Sequence, residues 1–307
     1  MNQREKILAT LGKLPEKCSR NVSFTDKADK GRYAVHTIEY NTEQDEWIKA
    51  FLLVPSEIYG KMPAIVAAHQ HAGQYHIGKS EPAGLSGDPM YYYGKELAER
   101  GFVVICPDHL GFEGRLPSQD ELKKRRIDAS LNERELFCNA IVNGSTLQAK
   151  YVADLSAAVD ILCELDYVDA EQIGVIGHSL GGQESLWLTF FDERIKVGVS
   201  SCGFCTVRSV FDNHVPHNFA MFTFGGLDVG DTVAMLREIG RADKAFMFTN
   251  GTRDWLFPMD GVNEILKTEE YFVDKSKFKA VVFENGHCFP EELREEAYKF
   301  LEYNLCK

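Results

Sequence analysis

A serine hydroxyl is a poor nucleophile near neutral pH, and it attacks a carbonyl only with a base in contact and a carboxylate to orient that base. One segment of this chain is built to present such a serine. Gly177-His178-Ser179-Leu180-Gly181, with a further glycine at Gly182, has the pattern G-x-S-x-G. It follows the short apolar run 173–176 directly and opens a stretch of helical character, 183–191. A sharp strand–turn–helix junction of this kind lifts the serine hydroxyl above the sheet edge. Small residues two before and two after the serine are needed because the turn crowds them against neighbouring backbone. The helix that follows points free N–H groups and its positive dipole end at charge developing on a substrate.

The elements that must hold this turn are legible in the apolar pattern. Residues 33–40 and 47–54 read as two strands joined by the polar turn 41–45, hence an antiparallel hairpin. Beyond Pro55, short continuously apolar runs alternate with helical stretches. The runs are 64–68 (AIVAA), 102–106 (FVVIC), 173–176 (IGVI), 197–200 (VGVS), 245–248 (AFMF) and 280–283 (AVVF). Such runs suit parallel strands covered on both faces. Leu147, Tyr151, Val152, Leu155, Val159 and Leu162 recur at helical spacing, with Ser145 and Gln148 placed as a capping box. Further helices are expected at 95–100, stopped by Gly101, near 262–272, and after Pro290. A hairpin followed by six βα units predicts one eight-stranded, mostly parallel α/β sheet with helices on both faces. Its functional loops then lie at the carboxyl ends of the parallel strands. Residues 1–30 read as an N-terminal helix and loop. Segments 111–145 and 203–243 are longer than the scheme needs and read as lid-like insertions within one domain spanning 1–307. The charged run 120–126 reads as a solvated helix face.

With that context the elbow resembles that of the α/β-hydrolases, nearest to the dienelactone hydrolase and acetyl xylan esterase-like branch. The resemblance runs from Tyr33 to the C-terminus. Dienelactone hydrolases proper use a cysteine nucleophile, whereas here the elbow carries Ser179. The fold implies the chain order serine, acid, histidine. Asn250-Gly251-Thr252-Arg253-Asp254 follows the run 245–248, and Glu284-Asn285-Gly286-His287 follows 280–283. Asp254 and His287 are thus the expected acid and base, with Asp228 and Asp231 as competitors for the acid. The resemblance also implies an oxyanion hole from the backbone N–H of Leu180 and that of His71, with Gln70 as the alternative donor, since His69-Gln70-His71-Ala72-Gly73 stands where the family often has His-Gly-x. His69 and Asp108 are expected to be structural. No cofactor and no metal is implied.

The expected reaction is hydrolysis of a small carboxylic ester, short-acyl or acetyl, through an acyl-enzyme. The same triad serves a peptidase, a thioesterase, a lactonase or a C–C bond hydrolase. Two rivals come from other classes. His69, His71 and His76 form HxHx4H and could ligate a metal for a metal-dependent hydrolase, although no carboxylate cluster matches them. A non-catalytic binding protein on a hydrolase scaffold would normally have lost a triad member. The phenylalanine-rich insertion and its neighbourhood offer Phe204, Phe211, His214, His217 and Trp255 as substrate-binding candidates.

Composition narrows the partners. The 307 residues carry 46 Asp and Glu against 34 Lys and Arg, a formal charge of −12 that disfavours phosphate backbones and anionic lipid. A small-molecule ester is the expected partner, with no nucleic acid and no membrane; a homo-oligomer is compatible with the sequence. No apolar stretch reaches the ~18 residues of a membrane span, and the N-terminus lacks a signal-peptide core. The eight cysteines, without a secretory signal, are expected as reduced thiols in the cytoplasm, and the single CxxC pair Cys202/Cys205 is weak grounds for zinc.

Overall fold

The computed structural model describes residues 1–306. Among them, nine strands form one sheet: β1 Val22–Asp29, β2 Tyr33–Glu43, β3 Glu46–Pro55, β4 Met62–Ala68, β5 Val103–Pro107, β6 Val168–His178, β7 Ile195–Ser201, β8 Ala245–Gly251 and β9 Phe278–Phe283. Their order is β1-β2-β3-β5-β4-β6-β7-β8-β9. The first three strands are antiparallel neighbours and β3 meets β5 antiparallel; every pair from β5 to β9 is parallel.

The apolar runs become central strands because both faces of the sheet are covered. In β4, Ala64, Val66 and Ala68 enter the core on one face, while Ile65 and Ala67 enter the core on the other. In β5, Val103 and Ile105 alternate with Val104 and Cys106 in the same way. One face is covered chiefly by the helices Leu147–Glu164 and Leu180–Phe191, the other by Tyr93–Ala98 and Glu291–Leu305.

The strand the sequence reading lacks is β1, inside the segment expected as helix and loop. Only Gln3–Ala9 is helical there, closed by a capping box between Asn2 and Glu5. Strand β1 adds to the edge of β2 with all but its first residue exposed, so it buries no apolar stripe that a pattern could reveal. Its charged residues Asp26, Lys27 and Asp29 suit an open sheet edge. The cap of the helix Leu147–Glu164 is also shifted by one residue. Thr146 accepts from the Ala149 N–H, while the Ser145 hydroxyl donates to the Lys13 carbonyl and ties the N-terminal segment to the body. The charged run 120–126 falls largely in the helix Gln119–Arg125, of which only Leu122 is buried.

Chain direction makes the site. After β4 the chain turns to β5 on one side, then crosses to β6 on the other side of β4. Loops leaving β4 and β6 therefore diverge, and a crevice opens at their carboxyl ends. The loop after β5 is pinned by a buried guanidinium. Arg115 Nη1 donates to Asp154 Oδ2 (2.8 Å) on the helix Leu147–Glu164 and to the Asp108 carbonyl (3.1 Å), and Nη2 pairs with Glu46 on β3. Truncating one member of a buried charge network strands the others in low dielectric. Arg115→Ala is expected to cost about 3 kcal/mol, the lower end for such a break because Lys150 still reaches Asp154. Urea unfolding reads this, and a loss under about 0.5 kcal/mol would show that the pinning is dispensable.

Candidate active site

The turn at Ser179 is dictated by what its neighbours leave no room for. Ser179 has φ 55° and ψ −120°, left-handed backbone that side-chain-bearing residues avoid. Its N–H donates to the Ser201 carbonyl on β7 (2.9 Å), and its own carbonyl accepts from Gln183 (2.9 Å). A Cβ at Gly177 would stand 2.2 Å from the Gly181 carbonyl, and one at Gly181 would stand 2.1 Å from the Ala68 carbonyl. One at Gly182 would meet Ser200 Oγ at 2.7 Å. The three glycines of the motif thus let β6, β4, β7 and the following helix converge under one serine.

Asp254 and His287 come together from the ends of β8 and β9. His287 Nδ1 lies 2.7 Å from Asp254 Oδ2, and the Asp254 side chain is fully buried. The second carboxylate oxygen, Oδ1, accepts from the Leu256 N–H (3.1 Å). Asp228 and Asp231 are elsewhere. Asp231 accepts from the N–H groups of Val207 and Arg208, and Asp228 lines a different cavity. His287 also rests on neutral rings, with His178 at 4.6 Å and Phe257 stacked at 5.7 Å. Cys202 adjoins them. Its Sγ lies within 4.8 Å of the ligating atoms of both Asp254 and His287, and burial pushes the thiol up, so it stays protonated there.

Ser179 and His287 line one cleft of about 1090 Å³. Gln70 and His71 line it too, just past β4. Leu180 is the first residue of the helix after Ser179, so its N–H has no acceptor within that helix. The segments 111–145 and 203–243 both reach this cleft. The first gives Glu133, from the helix Ala129–Val142, and the second gives His217, Asn218 and Phe219. The two segments touch each other where Phe137 stacks on Phe219 at 5.1 Å.

Of the substrate-binding candidates, His217 alone lines the cleft. Phe204 is core, packed on Phe246 and Phe248 of β8 at 5.9 and 5.5 Å. With Phe211 it lines the separate cavity, about 400 Å³, beneath the second segment. His214 and Trp255 are solvent-exposed and line neither cavity, Trp255 being 65% exposed. Phe204 thus serves packing, Phe211 is half exposed, and Phe219 is the phenylalanine of this segment that lines the cleft. Residues the sequence reading passed over supply the cleft instead: Tyr75, Glu81, Asp88, Tyr91 and Glu133. None sits in a motif.

The histidines of HxHx4H do not gather into a ligand set. His69 is buried with Nδ1 at 2.8 Å from the Gln70 carbonyl and Nε2 accepting from the His109 N–H, and burial holds it down to about 4. His71 Nε2 is turned to Glu133 (3.0 Å), and its Nδ1 accepts from Gly73. Asp108, pushed up to about 6 by burial, pairs with Lys79 at 2.8 Å and receives the Lys79 and Gly114 N–H groups, which makes it a brace for the loops.

Behind the helix Leu180–Phe191 a polar chain runs inward from the cleft. Asn218 donates to Gln183 (3.3 Å), Gln183 donates to Gln148 (2.8 Å), and Gln148 Nε2 reaches both Glu184 oxygens (2.9 and 2.8 Å). Burial pushes the Glu184 carboxyl from 4.5 up to about 8. The unfolded chain loses this proton near 4.5 while the native chain keeps it to about 8, so the unfolded state binds fewer protons across that window. Native stability therefore declines as pH rises from about 4.5 to about 8. Glu184→Gln is expected to remove this decline, so the stability difference between variant and wild type moves in the variant's favour across the window. Urea titrations at several pH values read it, and parallel curves would refute it. The strained turn makes a second prediction. Ser179→Ala and Ser179→Gly both remove the hydroxyl, but glycine relaxes the positive φ. Ser179→Gly is expected to be the more stable variant by about 1 kcal/mol, against the usual order for alanine and glycine. A less stable glycine variant would mean the turn holds no strain.

The fold has relatives. The prolyl oligopeptidase family matches residues 144–287, a segment that holds Ser179, Asp254 and His287. The Bacillus subtilis protein YtaP is 26% identical over 98% of both chains. Among solved structures, a glucuronoyl esterase from Solibacter usitatus superposes with a TM-score of 0.68 at 14% identity, covering 98% of this chain and 91% of its own. An acetyl xylan esterase from Paenibacillus sp. R4 gives 0.64 at 16% identity, covering 98% and 93%. The chain has the α/β-hydrolase fold.

Proposed function

We propose that this protein hydrolyses a small carboxylic ester by two-step acyl transfer. The observation that carries the reading is the pair His287–Asp254 at 2.7 Å, with the carboxylate buried and the imidazole facing the same cleft as a serine in strained elbow geometry. Asp254 fixes the His287 tautomer, so that Nε2 is free to accept the Ser179 proton. Ser179 Oγ attacks the carbonyl carbon. The N–H groups of Leu180 and His71, with Gln70 adjoining, receive the oxyanion. His287 returns the proton to the departing alcohol, and water then cleaves the acyl-enzyme with the same base.

A short acyl group is favoured by analogy with the acetyl xylan esterase that shares the fold, which by name acts on acetyl xylan. The match to the prolyl oligopeptidase family favours a second reading, a peptide bond in place of the ester. The eight cysteines, all free, favour a reducing compartment and with it a cytoplasmic location.

A p-nitrophenyl ester series from C2 to C8, set beside a p-nitroanilide peptide, tests the reading. Wild type is expected to turn over the shortest esters fastest, and Ser179→Ala to lose about 10³-fold or more in kcat. Activity is expected to survive chelator. An equally active Ser179→Ala variant would remove the triad from the mechanism, and anilide turnover above ester turnover would favour the peptidase.

A further inference from the structure

The cleft that holds Ser179 and His287 has a one-sided charge. Glu81, Asp88 and Glu133 line it, and no lysine or arginine does. Glu133 is shared between His71 Nε2 (3.0 Å) and the Tyr75 hydroxyl (2.7 Å). Burial alone would raise this carboxyl, but those two contacts outweigh it and hold it below its ordinary range. Glu81 and Asp88 have no ion-pair partner among the described residues. Glu81 accepts from Gln70 Nε2 (2.8 Å) and from the Asp88 N–H (3.1 Å), so its carboxylate lies one side chain from the proposed oxyanion site. Burial, and the Asp88 charge with it, raise the Glu81 carboxyl, a frustration that a cation in the cleft would relieve. Apart from His71, which is turned to Glu133, the cleft's other polar groups do not offset this charge. His217 is held down to about 4 by burial, hence neutral, and its buried Nε2 has no partner. Tyr75, Tyr91 and Phe219 supply ring surfaces of the kind that attract ammonium groups.

Resting on the ester-hydrolase reading, we propose that this cleft selects its substrate by charge: it takes esters whose non-reacting part carries an ammonium group and discriminates against esters of carboxylate- or phosphate-bearing molecules. A concave site with low-dielectric walls and carboxylates of one sign focuses its field on the bound molecule. Buried Glu81 and Glu133 are poorly screened by salt, whereas Asp88 stands exposed at the rim and guides approach.

The test compares three thioesters that share an acetyl group and a thiol leaving group: cationic acetylthiocholine, its uncharged tert-butyl isostere, and anionic S-acetyl-mercaptopropionate. The full-length protein is expected to rank them in that order, with kcat/KM for the cation about tenfold or more above the anion at low salt. Raising the salt is expected to shrink this ratio. Asp88→Asn keeps the oxygen that caps Met90 but loses the charge, and it is expected to narrow the ratio of cation to neutral isostere. A flat ranking, or a preference for the anion, overturns the charge rule while leaving the ester reading in place. No turnover of any ester, together with no labelling of Ser179 by an uncharged fluorophosphonate, fails the ester reading and the charge rule with it. Where labelling occurs without measurable turnover, protection decides. Choline is expected to slow labelling more than its tert-butyl isostere, and equal protection overturns the proposal.

Discussion

Everything at this site depends on how little space surrounds the backbone at Ser179. The Gly181 position is pressed against the Ala68 carbonyl at the end of β4, and Gly177 is pressed against Gly181 itself. That contact fixes two things together. It brings the N-terminus of the helix Leu180–Phe191 against the end of β4, so the segment Gln70–His71 lies beside the serine. It also forces Ser179 into its positive φ, held by the Ser201 carbonyl on the next strand. The sheet order then does the rest, because β8 and β9 continue outward from β7 and carry Asp254 and His287 to the same edge.

The framework was legible in the sequence because its constraints are local. Parallel strands buried on both faces show as unbroken apolar runs, and a crowded turn shows as glycines at fixed offsets. Asp254 and His287 could be picked out because each follows such a run on a glycine-bearing loop. What escaped was set by long-range packing. Strand β1 buries too little to leave a stripe, and its pairing is specified by the backbone of β2. Thr146 caps a helix where Ser145 was the expected cap, because the Ser145 hydroxyl is taken by Lys13 from the N-terminal segment.

The cleft wall is the clearest case. Phenylalanines in the segment 203–243 suggested an apolar substrate pocket, but Phe204 packs under the segment and Phe211 turns away from the serine. Cleft-lining positions fell to Glu133, Tyr75 and Asp88, which a sequence cannot separate from ordinary surface residues. Glu133 is buried only because the two segments close over it, with Phe137 against Phe219 and with His71 and Tyr75 on its carboxylate.

Electrostatics around His287 follow from the same packing. In the proposed mechanism His287 accepts a proton, and any positive charge nearby would hinder that. Besides Asp254, three titratable neighbours surround His287, and burial keeps each neutral. His178, ring to ring at 4.6 Å, is held far below its ordinary range by desolvation first and by His287 second. His217, across Phe257, is held down to about 4, and the Cys202 thiol is pushed up and stays protonated. Asp254 is therefore the one full charge in direct contact with the imidazole, and it is negative. The fold supplies an attractive partner on one side and uncharged, polarisable groups on the others. An imidazolium formed as Ser179 attacks would be stabilised by Asp254 without opposition, which is the condition a serine nucleophile needs from its base.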